Sequence, residues 1–164
     1  IPLIAIAAVF PIARRRRLLL QSDLGIRPAP VGEAIIFLLL YGGWMLTTDA
    51  LTGWRGPWDF TIWRQSPVWV DVLRVVAVGI LGPIAEELIF RGLLYAFLIR
   101  TRLRVIGTIV VLAAVWAGIH IDYSALVIGI LFIAGVLLGA ARFRTGSVLA
   151  PILMHILWNF YAVW

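Results

Sequence analysis

Gly82-Pro83-Ile84-Ala85-Glu86-Glu87-Leu88-Ile89-Phe90-Arg91-Gly92 is the stretch around which the chain is organised. It places two adjacent carboxylates and an arginine inside an apolar run over residues 68–99. Such a run exceeds the roughly 20 residues that an α-helix needs to cross a bilayer. Charged side chains in a membrane-length segment are costly, so they indicate a functional site by default.

The composition is that of a polytopic membrane protein. Hydrophobic residues make up 63% of the 164 residues, and the mean hydropathy is +1.04, whereas soluble domains are roughly half apolar. The net charge of +6 is carried by 14 arginines without any lysine. These arginines punctuate apolar segments, so we expect a lipid bilayer as partner and no nucleic acid. The absence of cysteine excludes disulfides and thiolate metal sites.

Six apolar segments predict an all-α fold, a polytopic transmembrane helix bundle that forms a single domain over residues 1–164. Because the chain begins with Ile1 rather than Met, we expect the first segment to be the end of a truncated helix. Gly82-Pro83 should bend or interrupt the third segment, because proline removes a backbone donor. The predicted segments are residues 1–12, 31–48, 68–99, 105–120, 125–141 and 148–163.

The arginines also predict an orientation. If the chain starts outside and the segments alternate, the arginine-rich loops fall in the cytoplasm, which agrees with the positive-inside rule. We therefore expect a multi-pass protein of a prokaryotic cell membrane. The cytoplasmic set is Arg14, Arg15, Arg16, Arg17, Arg27, Arg100, Arg102, Arg104, Arg142 and Arg144, and the outer set is Arg55, Arg64 and Arg74.

Three local patterns predict further structure. Tryptophans gather around the second connection, as is typical of a bilayer interface; they are Trp44, Trp54, Trp58, Trp63 and Trp69. Gly135 and Gly139 form a GxxxG pattern, which permits close helix packing. Ser147 suits a helix N-cap, and residues 18–30 should form a loop or an interfacial segment.

Few polar side chains remain within the apolar segments. At about 1.5 Å per residue, Glu86, His120 and Asn159 lie roughly 21 to 24 Å from the cytoplasmic arginines, with His155 one turn nearer. This common depth is compatible with one site built from three helices. The polar residues are Glu86, Glu87, Arg91, His120, His155 and Asn159.

Helical spacing separates the two glutamates. Glu87 and Arg91 are four residues apart with the acid first, which is the favoured orientation for an ion pair. Glu86 points about 100° away and has no such partner in its helix. An unpaired buried carboxylate suits general-base work.

The two histidines lie at a level similar to that of Glu86. His155 and Asn159 are four apart and share a helix face, and both can donate hydrogen bonds to a developing oxyanion. His120 can orient a water or share a proton. The alternative is that each histidine only packs against its neighbours.

These residues resemble the motifs of the CPBP intramembrane proteases, also called the Abi or CAAX-protease family, which includes the type II CAAX prenyl endopeptidases. The first motif, EExxxR, is matched by Glu86, Glu87 and Arg91. The second, FxxxH, ends at His120, but Trp116 stands in place of the phenylalanine. The third, HxxxN, runs from His155 to Asn159. The resemblance covers residues 71–159, a protease-like core, and not the first third of the chain.

The resemblance implies an intramembrane endopeptidase that hydrolyses a peptide bond of a membrane-associated peptide or protein, with a prenylated C-terminus as one substrate class. Glu86 and His120 would activate a water, and His155 and Asn159 would stabilise the oxyanion. Glu87 and Arg91 would hold the site together.

Metal dependence and catalysis itself remain open. Glu86, His120 and His155 also make a zinc-ligand set, and a metalloprotease-like mechanism is the alternative, although no HExxH pair is present. We favour the metal-free mechanism without cofactors. A non-catalytic membrane binding or immunity protein would keep the fold without cutting. A small transporter would use the acids as proton relays, but two halves with paired broken helices are missing.

Overall fold

The computed structural model describes residues 1–54 and 65–163, and within these ranges the chain folds into six helices without any strand. This confirms the predicted all-α helix bundle. Arg55, Trp58, Trp63 and Arg64 lie outside the described residues. The helices are α1 (Pro2–Arg15), α2 (Val31–Thr52), α3 (Val68–Leu98), α4 (Arg104–Gly118), α5 (Ala125–Thr145) and α6 (Leu149–Val163).

Helices α2 and α5 run four residues further than the predicted segments. Each continues past the apolar run until a glycine adopts the left-handed conformation, Gly53 at φ 67° and Gly146 at φ 64°. A left-handed glycine is a common helix stop because it has no Cβ to clash. The prediction ended these helices where polar residues begin, at Asp49 and Arg142, but a helix can continue beyond its apolar run until a stop signal such as these glycines.

Among the described residues, three helices are long and apolar enough to cross a membrane, namely α2, α3 and α5. Helices α4 and α6 are apolar but have 15 residues each, fewer than the roughly 20 of a full span. The outer surface is strongly apolar, with Leu39 71% and Ile106 79% exposed. Such a surface suits lipid rather than water, so the chain is a membrane protein. Its sidedness stays a prediction.

Helix α3 continues through Pro83 with a changed hydrogen-bond pattern. Wider π-helical stretches, Val75–Leu81 and Leu88–Leu94, flank the α-helical Gly82–Glu87. Pro83 occupies the first turn of that central piece, where its missing N–H costs least. The expected interruption is thus a switch of helical pitch, and π turns of this kind are frequent at functional sites.

Helices α4 and α5 pack closely through the predicted glycine pair. A Cβ on Gly135 would lie 3.1 Å from Ala113, and one on Gly139 would lie 3.0 Å from Ile109. A larger residue at either position would require its neighbour on α4 to shift, so the glycines permit this close packing. The main apolar core is formed by buried residues of α2, α3, α4, α5 and α6.

The connection between α1 and α2 is anchored in the protein. Leu24 is fully buried, and the Arg142 guanidinium donates from Nε to the Arg91 carbonyl and from Nη2 to the Asp23 carbonyl, both at 2.9 Å. Arg142 is only 4% exposed, so it supports the fold in addition to any topological role. Ser147 accepts the Leu149 amide at 3.1 Å, as expected of a residue that caps α6.

Candidate active site

A cavity of about 370 Å³ lies between the helices and contains the four side chains predicted to be catalytic. Five aromatic residues share its wall with these polar groups, which is typical of ligand sites. Their convergence agrees with the common depth read from the sequence, while their roles stay predictions. The lining residues are Tyr41, Trp54, Val78, Glu86, Trp116, His120, Tyr123, Leu131, Ala134, His155, Trp158 and Asn159.

Glu86 faces the cavity from the central piece of α3. Its Oε2 accepts a hydrogen bond from Trp116 Nε1 at 2.6 Å, and no cation of the described residues forms an ion pair with it. The side chain is half-buried. Glu86 is therefore held in place by a hydrogen bond and has no counter-charge among the described residues.

Glu87 faces the protein interior and pairs with Arg91. The two side chains are 0% and 1% exposed, and Glu87 Oε1 lies 3.0 Å from Arg91 Nη1. Arg91 Nη2 also donates to the Gly135 carbonyl at 3.1 Å, which joins α3 to α5. The predicted ion pair, and the divergence of Glu86 from it, are present in the structure.

His155 contacts Glu87 rather than Glu86. Its Nδ1 lies 2.9 Å from Glu87 Oε1, and the ring is almost fully buried on α6. The sequence assigned Glu87 to Arg91 alone, because spacing along one helix cannot report a contact with another helix. Glu87 Oε2 is buried and has no hydrogen-bond partner among the described residues.

His120 lies beyond the end of α4, which corrects the predicted helix over residues 105–120. The helix ends at Gly118, and the His120 amide closes a tighter turn to the Ala117 carbonyl at 3.1 Å. Glycine lowers helix propensity at this point. The imidazole Nδ1 is 2.8 Å from the Trp116 carbonyl, and the ring stacks on Tyr123 with centroids 5.7 Å apart.

Asn159 follows His155 by one turn of α6 and reaches back to α3. Its Nδ2 donates to the Val78 carbonyl at 3.0 Å. An amide nitrogen carries two hydrogens, so this bond leaves one of them for another acceptor. Asn159 and His155 share the helix face that the sequence predicted and both reach the cavity.

The acidic and imidazole side chains do not form a ready metal site. Within residues 1–54 and 65–163, no three His, Cys, Asp or Glu side chains are close enough together to hold a metal ion. The contacts of His155 with Glu87 and of His120 with a carbonyl use Nδ1 and leave Nε2 of each ring open. The zinc set of Glu86, His120 and His155 does not fit this arrangement because the three side chains do not come close enough together, and we derive no step through a metal.

Other cavity residues carried no functional signal in the sequence, or only a partial one. Trp116 was noted only as a departure from a motif, although its N–H reaches Glu86. Burial, followed by the charges of Asp122 and Glu86, raises the pKa of the Tyr123 phenol. Its position three residues after His120 was the one sequence signal that placed Tyr123 near the site.

Trp54 was expected at the bilayer interface. It packs against Trp158 with centroids 6.2 Å apart and lines the cavity.

Comparison with known proteins gives one family match. The family model described as type II CAAX prenyl endopeptidase Rce1-like matches residues 67–161. An uncharacterised 24.3 kDa protein of Escherichia coli is 27% identical over 122 residues, which are 71% of this chain and 55% of that protein. The chain thus spans about half the length of the curated relative it matches. No solved structure matches the chain.

Proposed function

The chain belongs to the type II CAAX prenyl endopeptidase Rce1-like family, a family of proteases, and from this premise we propose that it is an intramembrane endopeptidase. The observation that carries the proposal is the meeting of Glu86, His120, His155 and Asn159 at one cavity among membrane helices. In the proposed reaction they hydrolyse a peptide bond of a membrane-associated substrate.

Glu86 is the proposed general base and His120 its partner at the water. A carbonyl oxygen can only accept, so the His120 Nδ1 next to the Trp116 carbonyl carries the proton. In the neutral ring Nε2 then keeps its lone pair and can accept from a water. Glu86 takes the proton of that water, and the hydroxide oxygen bonds to the carbonyl carbon of the substrate.

His155 and Asn159 are the proposed oxyanion donors. The free amide hydrogen of Asn159 can bond the oxygen that becomes negative in the tetrahedral intermediate. His155 can bond the same oxygen when its Nε2 carries a proton, and the contact of its Nδ1 with Glu87 orients the ring for this. The C–N bond then breaks, and Glu86 returns its proton to the leaving amine.

Glu87 and Arg91 support the site without touching the substrate. Their pair is buried and is joined to α5 through the Gly135 carbonyl. Glu87 holds the His155 ring at Nδ1, and in the proposed arrangement Nε2 is directed toward the cavity. Catalytic groups need such support because small displacements cost large factors in rate.

The proposed substrate class is a membrane-associated peptide or protein, including one with a prenylated C-terminus. The aromatic wall of the cavity suits an apolar substrate. Shortened C-termini in membranes that contain the wild-type protein, compared with membranes that contain a Glu86→Ala variant, would identify the substrates by proteomics.

The decisive experiment is cleavage of a quenched fluorogenic peptide with a prenylated cysteine near its C-terminus, in liposomes. Glu86→Ala should abolish turnover while insertion and thermal unfolding stay close to wild type. If Glu86→Ala, His120→Ala and His155→Ala all cut at the wild-type rate, the protein is not this protease. Function of the Glu86→Ala variant in cells would favour a non-catalytic binding role.

The metal-free mechanism has its own test. Elemental analysis of the active protein should find no stoichiometric zinc, and chelators should leave turnover unchanged. Near-stoichiometric zinc, together with loss of turnover on chelation, would favour the zinc-dependent alternative.

A further inference from the structure

We infer that Trp116 is a positioning residue that holds the Glu86 carboxylate in the orientation needed to act on water. This inference rests on the proposed function. It assigns a role to the position at which the chain departs from the FxxxH motif.

The hydrogen bond from Trp116 defines the orientation of Glu86. The indole has one N–H and no acceptor. In the 2.6 Å contact Trp116 therefore donates and Glu86 Oε2 accepts. Bonds to a charged acceptor are short and strong. The described residues give no other donor to this carboxylate. Oε2 is thereby fixed, and Oε1 remains the oxygen that can accept a proton.

The indole itself has little freedom. Trp116 is 3% exposed, and its ring meets His155 edge-on at 87°, with centroids 5.4 Å apart. The Arg91 guanidinium lies 5.1 Å from the centroid of the Trp116 ring. A donor locked by its neighbours loses little entropy when it bonds Glu86, which is the condition for positioning.

Trp116 also positions His120, the second group proposed to activate water. Its carbonyl accepts from His120 Nδ1 at 2.8 Å, and its ring lies 5.3 Å from the His120 ring, centroid to centroid. One residue at the end of α4 therefore fixes both Glu86 and His120. A phenylalanine at this position would keep the carbonyl and the packing but would lose the only donor to Glu86 in the described structure.

The kinetic test compares Trp116→Phe with Trp44→Phe on the prenylated fluorogenic peptide. Trp44 also donates an indole N–H, to the Ile130 carbonyl at 3.4 Å, but it does not line the cavity. Trp116→Phe should lower kcat about ten- to a hundredfold with KM nearly unchanged, and Trp44→Phe should leave both unchanged. Equal kcat in wild type and Trp116→Phe would overturn the inference.

A spectroscopic test needs no substrate. The indole ¹⁵N–¹H resonances of the wild type should include one shifted downfield by the carboxylate, and Glu86→Ala should move that resonance upfield. Trp116→Phe, where it folds, identifies the resonance by removing it. No displaced resonance in Glu86→Ala would overturn the contact.

The two proposals can fail separately. If Glu86→Ala still cuts, the proposed function fails. If Glu86→Ala is inactive but Trp116→Phe is fully active, only the positioning role fails.

Discussion

The imidazole of His155 and the carboxylate of Glu87 are in contact across two helices, with Nδ1 and Oε1 2.9 Å apart. The same oxygen accepts a hydrogen bond from Arg91 Nη1 at 3.0 Å. Glu87 Oε1 thus joins Arg91 of its own helix to the His155 ring of α6. Through the Gly135 carbonyl, Arg91 extends this connection to α5. A change at Glu87 should therefore affect both folding and catalysis.

The first prediction concerns the stability that depends on Glu87. Glu87→Gln keeps the volume but leaves the Arg91 charge uncompensated in a buried site. Removing one partner of a buried ion pair costs about 3–5 kcal/mol. We expect a loss of this size in the free energy of unfolding, measured in mixed detergent and SDS micelles.

Glu33→Gln is the matched control. Glu33 pairs with Arg144, but these side chains are 33% and 59% exposed, and exposed pairs contribute at most about 1 kcal/mol. Equal destabilisation by Glu33→Gln and Glu87→Gln would show that burial of the Glu87 pair does not decide its contribution.

The second prediction concerns the chemistry of His155. Removing one oxyanion donor typically lowers kcat about 10²- to 10³-fold, so His155→Leu should lose activity to this extent. His155→Gln keeps an N–H donor of comparable reach and should retain more activity than His155→Leu. The measurement is kcat on the prenylated peptide, with unfolding followed in parallel. If both variants are equally inactive and fully folded, His155 moves a proton instead of donating to the oxyanion.

Spacing along a single helix predicted the parts of the site that lie within one helix. The i, i+4 pairing of Glu87 with Arg91 and the divergence of Glu86 follow from 3.6 residues per turn, and the structure contains both. The close packing at Gly135 was also predictable, because a small-residue pattern reports how near a neighbour can come.

Contacts between helices could not be predicted in the same way. Nothing in the sequence shows that α6 turns His155 toward Glu87, or that α4 turns the Trp116 N–H toward Glu86. The position of His120 was predicted on a helix because the apolar pattern continues through Gly118 and Ile119. The chain nevertheless leaves the α-helix there, through a turn whose hydrogen bond depends on the backbone alone.

The third prediction concerns the anchor of the connection between α1 and α2. Arg142 donates to the Arg91 and Asp23 carbonyls from two different nitrogens. Arg142→Lys keeps the charge but cannot reproduce this fork. One buried carbonyl left without a donor costs about 1–3 kcal/mol, and we expect a loss of that size together with faster proteolysis within residues 18–30.

Arg144→Lys is the control for Arg142→Lys. Its side chain is 59% exposed, and exposed substitutions usually change stability by less than about 0.5 kcal/mol. If Arg142→Lys is as stable and as protease-resistant as Arg144→Lys, the guanidinium fork does not anchor the connection.

The fourth prediction concerns the glycine contact behind the site. A Cβ on Gly135 would lie 3.1 Å from Ala113 and 3.3 Å from Arg91 Nη2. Gly135→Ala must therefore push α4 away or displace the guanidinium that braces Glu87. Overpacking of this kind costs about 1–3 kcal/mol, and kcat should fall as well because Arg91 moves.

Gly129→Ala provides the comparison within the same helix. No atom lies within 4 Å of a Cβ built on Gly129, so the only expected effect is the better helix propensity of alanine, worth up to about 1 kcal/mol of added stability. The two substitutions should thus shift the free energy of unfolding in opposite directions. A Gly135→Ala protein that gains stability as Gly129→Ala does, and keeps its full turnover rate, would show that α4 can yield without moving Arg91.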